Sequence, residues 1–315
     1  MTDTLIRGHL DQTLTNFSVA LVKQAGFIGD IVAPVVPVSN ESDAYVKFGA
    51  EDLRLDAMGY GGKGTIGRSV LTEGLDQYLC QEYTKESAIP WQKMRNADAA
   101  LRLEMRATQF VTDNLRLRRE KQVADLMATA ATFTNTAALS GADCWDKDTS
   151  APVAKVADAK ETIRALIGVE PNTLVLGPHV WAHLRIHPDV CQRVFGLLPN
   201  TPATVEQAAA VLGVDRILVG KGVYRTDIDD GSSVKTPTLA DVWGKIAVVC
   251  YIDTIGSAGT ITPAVQFSCD AVAGPFSTFT YEENQTRMHV IQGYDCVDVK
   301  AIATSAAYLY TTVVA

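Results

Sequence analysis

The sequence contains no CxxC pair. Its six cysteines, Cys80, Cys144, Cys191, Cys250, Cys269 and Cys296, stand at wide, irregular spacings. That spacing excludes a zinc ribbon and a thioredoxin-type site. In a chain of 315 residues, cysteines so scattered read as reduced core residues. There is no long apolar run either. Residues 301–315 are uncharged but broken by Ser and Thr, short of the ~20 apolar residues that a membrane span needs. Residues 1–12 carry Asp3, Arg7 and Asp11 and no apolar h-region, so no secretory signal is visible. A basic excess is also missing: Lys plus Arg is 28, Asp plus Glu is 36, and the net charge is −8. Proteins whose main task is gripping nucleic acid carry the opposite balance, which argues against sequence-specific DNA binding. No G-x-S-x-G elbow occurs, and no cysteine has an evident histidine partner.

What is present is globular. Apolar residues make up 47% of the chain, enough for a core, and the length suits two domains or one elaborated domain. Residues 16–24 suit two helical turns. In residues 26–38, Pro34 and Pro37 favour an extended path and forbid a helix or a central strand. Such an apolar segment must be covered, by this chain or by a neighbour. Residues 45–90 alternate and turn around a Gly-rich stretch at 59–64 and read as a two-stranded ribbon. A lone ribbon is marginal in water, so it must lie on something. Residues 91–133 contain neither Gly nor Pro, and Leu101, Met105, Thr108, Val111, Leu115, Gln122 and Leu126 recur at helical spacings. A helix over about 104–131 would be roughly 40 Å long, a structural spine. Residues 134–150 read as a polar linker.

Residues 151 to about 275 read as α/β. Helices are expected over 153–167, 178–184 and 204–212, and strands at 172–176, 217–219 and 246–252. Thr204 with Gln207 forms a capping-box pattern, and residues 227–237 are a polar turn region. Residues 277–281, 287–291, 295–300 and 307–314 are candidate strands.

Few constellations carry chemistry. Gly59-Tyr60-Gly61-Gly62-Lys63-Gly64 matches G-x-G-x-x-G, but the following residues read as strand where a dinucleotide fold needs a helix. Gly64 after Lys63 also fails the Walker A pattern. His179, His183 and His187 lie four apart. Helical spacing would let them share a face and bind metal, yet Val180 stands where a zincin has Glu, and Pro188 ends the helix. Surface and capping roles fit them better. Asp229-Asp230 and Glu282-Glu283 fall in polar turns. Arg116, Arg118, Arg119 and Lys121, interspersed with Asp113 and Glu120, read as a solvated helix face, with contact to packaged nucleic acid or an acidic partner as the second reading. No catalytic, cofactor-binding or metal residue is assigned, and the chain is read as a non-enzyme that needs no cofactor.

The arrangement resembles the HK97-like major capsid proteins of tailed double-stranded DNA phages. Phe27-Ile28-Gly29-Asp30-Ile31-Val32-Ala33-Pro34-Val35-Val36-Pro37-Val38, then Tyr45-Val46-Lys47-Phe48, look like the family's N-terminal arm. Residues 54–90 look like its E-loop, and residues 91–133, with Leu117-Arg118-Arg119-Glu120-Lys121, like the spine helix of its P-domain. Asn172-Thr173-Leu174-Val175-Leu176-Gly177-Pro178, residues 212–219 and Trp243-Gly244-Lys245 resemble the A-domain. The resemblance implies an α+β fold divided into an arm (1–44), an E-loop (45–90), spine helix and linker (91–150), an A-domain (151–275), and returning P-domain strands with a tail (276–315).

It further implies homohexamers and homopentamers in an icosahedral shell around double-stranded DNA, held without sequence specificity. The subunits would be made and assembled in the host cytoplasm and reside in the virion. A portal and decoration proteins are implied partners, with no role for a membrane. Because the arm-like segment begins near Met1, a separate scaffolding protein is expected. Phe27, Ile28, Val35, Val36, Arg54, Tyr60, Lys63, Arg68 and Leu71 are the candidate contacts between subunits. An encapsulin-type nanocompartment shell is the alternative of the same fold, and a metal- or nucleotide-dependent enzyme is the alternative from another class.

Overall fold

The computed structural model describes residues 9–10, 26–47, 74–96, 100–196, 201–226, 238–253, 261–270 and 272–315. The expectations placed on residues 16–24, 59–64 and 227–237 lie outside the described residues, as do Arg54, Tyr60, Lys63, Arg68 and Leu71. In chain order the first elements are β1 (His9–Leu10), α1 (Gly29–Val32), β2 (Val35–Val38), β3 (Ser42–Lys47), β4 (Gly74–Leu79), β5 (Gln81–Pro90), α2 (Trp91–Asn96) and the spine helix α3 (Ala100–Ala128). Then come β6 (Asn135–Ala138), α4 (Pro152–Ile167), β7 (Thr173–Leu176), α5 (Pro178–Leu184), α6 (Pro188–Phe195), α7 (Val205–Leu212) and β8 (Arg216–Val219). The last are β9 (Val223–Arg225), β10 (Leu239–Asp241), β11 (Ala247–Cys250), β12 (Ala264–Cys269), β13 (Ser277–Glu283), β14 (Met288–Ala301) and β15 (Ala307–Thr311).

Two larger sheets result. In the six-stranded sheet, β14 is the central strand. Residues 288–294 pair with both β5 and β13, and Val297 pairs with both Gln81 and Ser268. Strand β5 therefore runs along one edge of β14, and β12 then β13 follow each other along the opposite edge. Strand β2 adds in parallel outside β12, and β1 pairs outside β13. Pro37 is tolerated in β2 because that strand lies at an edge. The five-stranded sheet has the order β6-β15-β11-β7-β8. Its central strands β7 and β11 are buried throughout, as expected of strands covered on both faces.

The spine helix joins the two sheets. Its 29 residues span about 43 Å at 1.5 Å per residue. Thr108, Val111 and Leu115 are buried on its N-terminal half, where Val111 and Leu115 meet β14 at Gly293. Val123, Ala124 and Met127 on its C-terminal half share a core with Val175, Val248 and Leu309 of the five-stranded sheet. On that sheet's other side, α4 buries Val156, Ala159, Ile163 and Ile167. All six cysteines are buried and free, in keeping with the sequence reading.

Several expected boundaries move. Among the described residues the ribbon pairing runs between β3 and β4, ending at Ser42↔Leu79, and residues 81–90 belong to the six-stranded sheet. The ribbon base does lie on something: Tyr78 stacks on Phe267 of β12 at 4.5 Å, with Tyr45 at 5.2 Å from the same ring. The stretch read as a linker supplies β6 and the fully buried Trp145. Residues 287–291 and 295–300 merge into β14. Strand β12 is an element that the sequence reading did not name, and it joins the six-stranded sheet. Strand β15, expected among the returning P-domain strands, instead lies inside the five-stranded sheet between β6 and β11. The chain thus crosses between the sheets more than once after Ile252.

Candidate functional site

The functional geometry lies where the spine helix, the N-terminal segment and both sheets meet. Glu120 and Arg119 of α3 are both buried. The Glu120 carboxylate accepts hydrogen bonds from the Ile28 amide (3.0 Å), the Gly29 amide (2.6 Å) and the Trp243 indole Nε1–H (2.6 Å). Helix α1 has no capping side chain of its own at Ile28. A carboxylate from the spine therefore satisfies amides at its N-terminal end, which would otherwise lack partners. At the other end of the turn, Gln266 of β12 donates its side-chain amide to Ala33 O (2.7 Å) and to Asp30 Oδ1 (3.2 Å).

Arg119 makes a two-pronged pair with Asp295 of β14. Its Nε lies 3.1 Å from one carboxylate oxygen and its terminal nitrogen 2.6 Å from the other. Arg119 and Arg116 also lie over the Phe276 ring, at 4.5 and 5.2 Å. Phe276 adopts a φ of 56°, the left-handed region. Burial pushes the carboxyls of Glu120 and Asp295 up. Hydrogen bonds from Ile28, Trp243 and Gly29 oppose this at Glu120, and the Arg119 charge opposes it at Asp295. Phe27, Asp30, Arg116, Arg119, Glu120 and Phe276 line a cavity of about 20 Å³.

For Arg116 and Arg119 this corrects the reading of the basic cluster as a solvated face; Arg118 is exposed and Lys121 partly so, as that reading has them. Arg116 and Arg119 point into the protein with Glu120, and Arg118 stacks over Tyr83 at 3.8 Å. The signal for this was spacing. Residues 108, 112, 116 and 120, like 111, 115, 119 and 123, continue the buried stripe every fourth residue. The apolar reading skipped the charged members and drifted to Gln122 and Leu126, which are only partly buried. Trp243, Gln266 and Asp295 carried no local signal, because each acts through a partner more than a hundred residues away.

The candidate contact residues divide. Ile28 and Val36 are 7% and 9% exposed within the single chain, so their apolar surface is already used inside it. Phe27 and Val35 are partly exposed. Outward-facing apolar surface appears instead at the ribbon base, where Leu75 and Leu79 are 69% and 59% exposed. Alternation puts them on the face opposite Tyr78.

The histidines do not converge. Helix α5 ends at Leu184, before His187. His179 lies at the surface, 3.4 Å from Asp241. His187 is buried and caps α6: its Nδ1 accepts from the Asp189 amide, and its Nε2 lies 3.0 Å from both Lys147 O and Ser150 Oγ. Among the described residues, no group of three or more His, Cys, Asp or Glu side chains is arranged to hold a metal, and no helix is long and apolar enough to cross a membrane. Glu282 accepts from Trp91 Nε1 (2.6 Å) and lies 2.7 Å from His289 Nδ1.

Comparison with known proteins agrees with this architecture. The family model of phage major capsid protein E matches residues 84–249. The major capsid protein of Burkholderia phage BcepMu is 30% identical over 246 residues, covering 77% of this chain and 76% of that protein. The crystal structure of a phage-related protein from Bordetella bronchiseptica RB50 superposes with a TM-score of 0.76 at 23% identity, over 97% of this chain and 98% of that one. The capsid structure of cyanophage P-SCSP1u shares the fold, with a TM-score of 0.60 at 12% identity over 92% and 89% of the two chains. The fold is the expected HK97-like α+β arrangement, and the encapsulin alternative is not favoured. The chain belongs to the phage major capsid protein E family and is a subunit of a capsid shell assembled from multiple copies.

Proposed function

We propose that the chain assembles as hexamers and pentamers into a closed icosahedral shell around double-stranded DNA, with a purely structural role and no catalysis. A separate scaffolding protein guides assembly in the host cytoplasm, a portal occupies one vertex, and decoration proteins are optional additions. The ribbon base formed by β3 and β4 lies over a neighbouring subunit, with Phe27 and Val35 at the same junction; Arg54, Tyr60, Lys63, Arg68 and Leu71, outside the described residues, are further contacts between subunits. The arm covers residues 1–44, the six-stranded sheet with the spine helix forms the P-domain, and the five-stranded sheet forms the A-domain.

The observation that supports this reading most is the ribbon base. One of its faces is anchored on Phe267 through Tyr45 and Tyr78, while Leu75 and Leu79 on the other face remain open. Large apolar side chains left open in this way mark an interaction surface. Each contact can be weak, because a subunit in a shell makes many at once.

Electron microscopy and sedimentation of the chain, co-expressed with the other structural proteins of its phage, test this reading. Closed icosahedral shells that take up DNA support it. Discrete small oligomers that persist with every partner supplied overturn it.

A further inference from the structure

Strands β14 and β15 follow each other closely in the chain, yet they complete different sheets. Strand β14 pairs with β5, β12 and β13, and among the described residues those strands do not pair with one another. Strand β15 lies between β6 and β11, and β6 has no other strand partner among the described residues. Residues 302–306 carry the chain from one sheet to the other. On the way the Ile302 amide donates to Pro263 O, and Ala306 O accepts from the Tyr251 amide.

The apolar cores depend on the same stretch. Ile291, Cys296, Leu309 and Tyr310 each belong to a different one of them. The spine helix needs both strands: Val111 and Leu115 rest on Gly293, while Val123 and Met127 share a core with Leu309. A helix in a protein draws most of its stability from such packing. Residues 288–311 also come after every other described element in chain order. Their pairings are long-range, Gln81 with Val297 and Asn135 with Tyr308. The entropy of closing such loops must be met before the contacts stabilise anything.

We propose that residues 288–311 are a closing element that delays assembly: both sheets and the spine helix reach their native packing only after this stretch has left the ribosome, so shells are built from released subunits and not from chains still being made. Before closure β5 and β6 lack their strand partners, and β11 has an open edge where β15 belongs. The ribbon base lacks its seat as well, because Phe267 lies on β12, which β14 holds in the sheet. This last step rests on the reading of the ribbon base as a contact between copies.

Ribosome-bound full-length chains test the proposal. The chain is joined to a Gly/Ser spacer and a translation-arrest peptide. A short spacer keeps residues 288–311 inside the exit tunnel, and a long one brings them out. A maleimide reagent reports on Cys80, Cys144 and Cys250. Cys80 shares a core with Cys296, the Cys144 thiol donates to Thr312 O, and Cys250 pairs across the strands with Ala307. With the short spacer all of these label readily. With the long spacer their labelling slows by more than about tenfold, to the level of the released chain. The readout is enclosure of thiols and not shell formation, so it stands whether or not the ribbon base is a contact between copies. Protection of any of these cysteines with the short spacer overturns the proposal, and so does labelling that stays fast with the long one.

Discussion

Gly293 of β14 lies against Val111 of the spine helix so closely that a Cβ at position 293 would come within 2.3 Å of Val111 Cγ1 and 3.0 Å of Leu115 Cδ1. The helix is seated on the central strand because that strand has no side chain at this point. Gly293→Ala would force the helix off the sheet or its side chains out of their rotamers. Overpacking of this kind costs about 1–3 kcal/mol, read as a lower denaturant midpoint with unchanged m. Val111→Ala in the same chain removes the atom that is struck. The double variant should therefore be less destabilised than the two single losses added together. Additive losses would place the strain elsewhere.

The Arg119–Asp295 pair makes a different prediction. Both side chains are almost fully withdrawn from water, so deleting either one leaves a buried charge without its partner. Arg119→Ala or Asp295→Ala should each cost about 3–5 kcal/mol. Replacing both with apolar residues of similar size should cost far less than either single change, because the pair's desolvation penalty disappears with it. Chemical unfolding of the four chains checks this. Single variants that lose less than about 1 kcal/mol would mean that water reaches the pair.

The helix that begins at Val205 was legible residue by residue. Thr204 accepts from the Gln207 amide, and the Gln207 side chain accepts from the Thr204 amide, the reciprocal cap that the sequence pattern predicts. Thr204→Ala should cost about 1 kcal/mol, measurable by thermal or denaturant unfolding. Signals of this kind act within one turn, and the helices 152–167 and 178–184 were readable for the same reason. Sheet membership was not, because a strand's partners are set by the rest of the chain. Residues 307–311 alternate as any half-buried strand does, and nothing local says that they insert between β6 and β11. The buried cluster around Arg119 and Glu120 failed to show for a related reason. Arg119 and Glu120 are charged, and only their phase with Val111 and Leu115 reveals that they face inward.

The cysteines give a counting experiment. Burial pushes the thiols of Cys80 and Cys250 up to about 12 and that of Cys296 up to about 11, and all six are enclosed. Reactivity needs both thiolate and access. At about pH 8, below the ordinary thiol value, the folded chain should show no rapidly labelled cysteine toward a small alkylating reagent. All six should label once the chain is denatured without reductant. A disulfide would lower the denatured count by two, and one rapid label in the folded chain would identify an opening near that residue.

The ribbon base separates folding from assembly. Tyr45 and Tyr78 hold it to Phe267, and Asp76, paired with Lys47 at 2.5 Å, faces the same side as Tyr78. Leu75 and Leu79 take no part in that packing and face outward. Leu75→Asp with Leu79→Asp should therefore leave the stability of the unassembled chain within about 0.5 kcal/mol, as for surface substitutions generally. The yield of sedimenting shells should nevertheless fall sharply, because two carboxylates would have to be desolvated at every copy of the contact. Tyr78→Ala makes the opposite prediction. It removes a stacked ring from the sheet and should lower the stability of the chain itself, by about 3–5 kcal/mol if the site behaves as a buried aromatic. If the two aspartates unfolded the chain, Leu75 and Leu79 would be core residues. If shells formed normally, the contact between subunits would lie on another face.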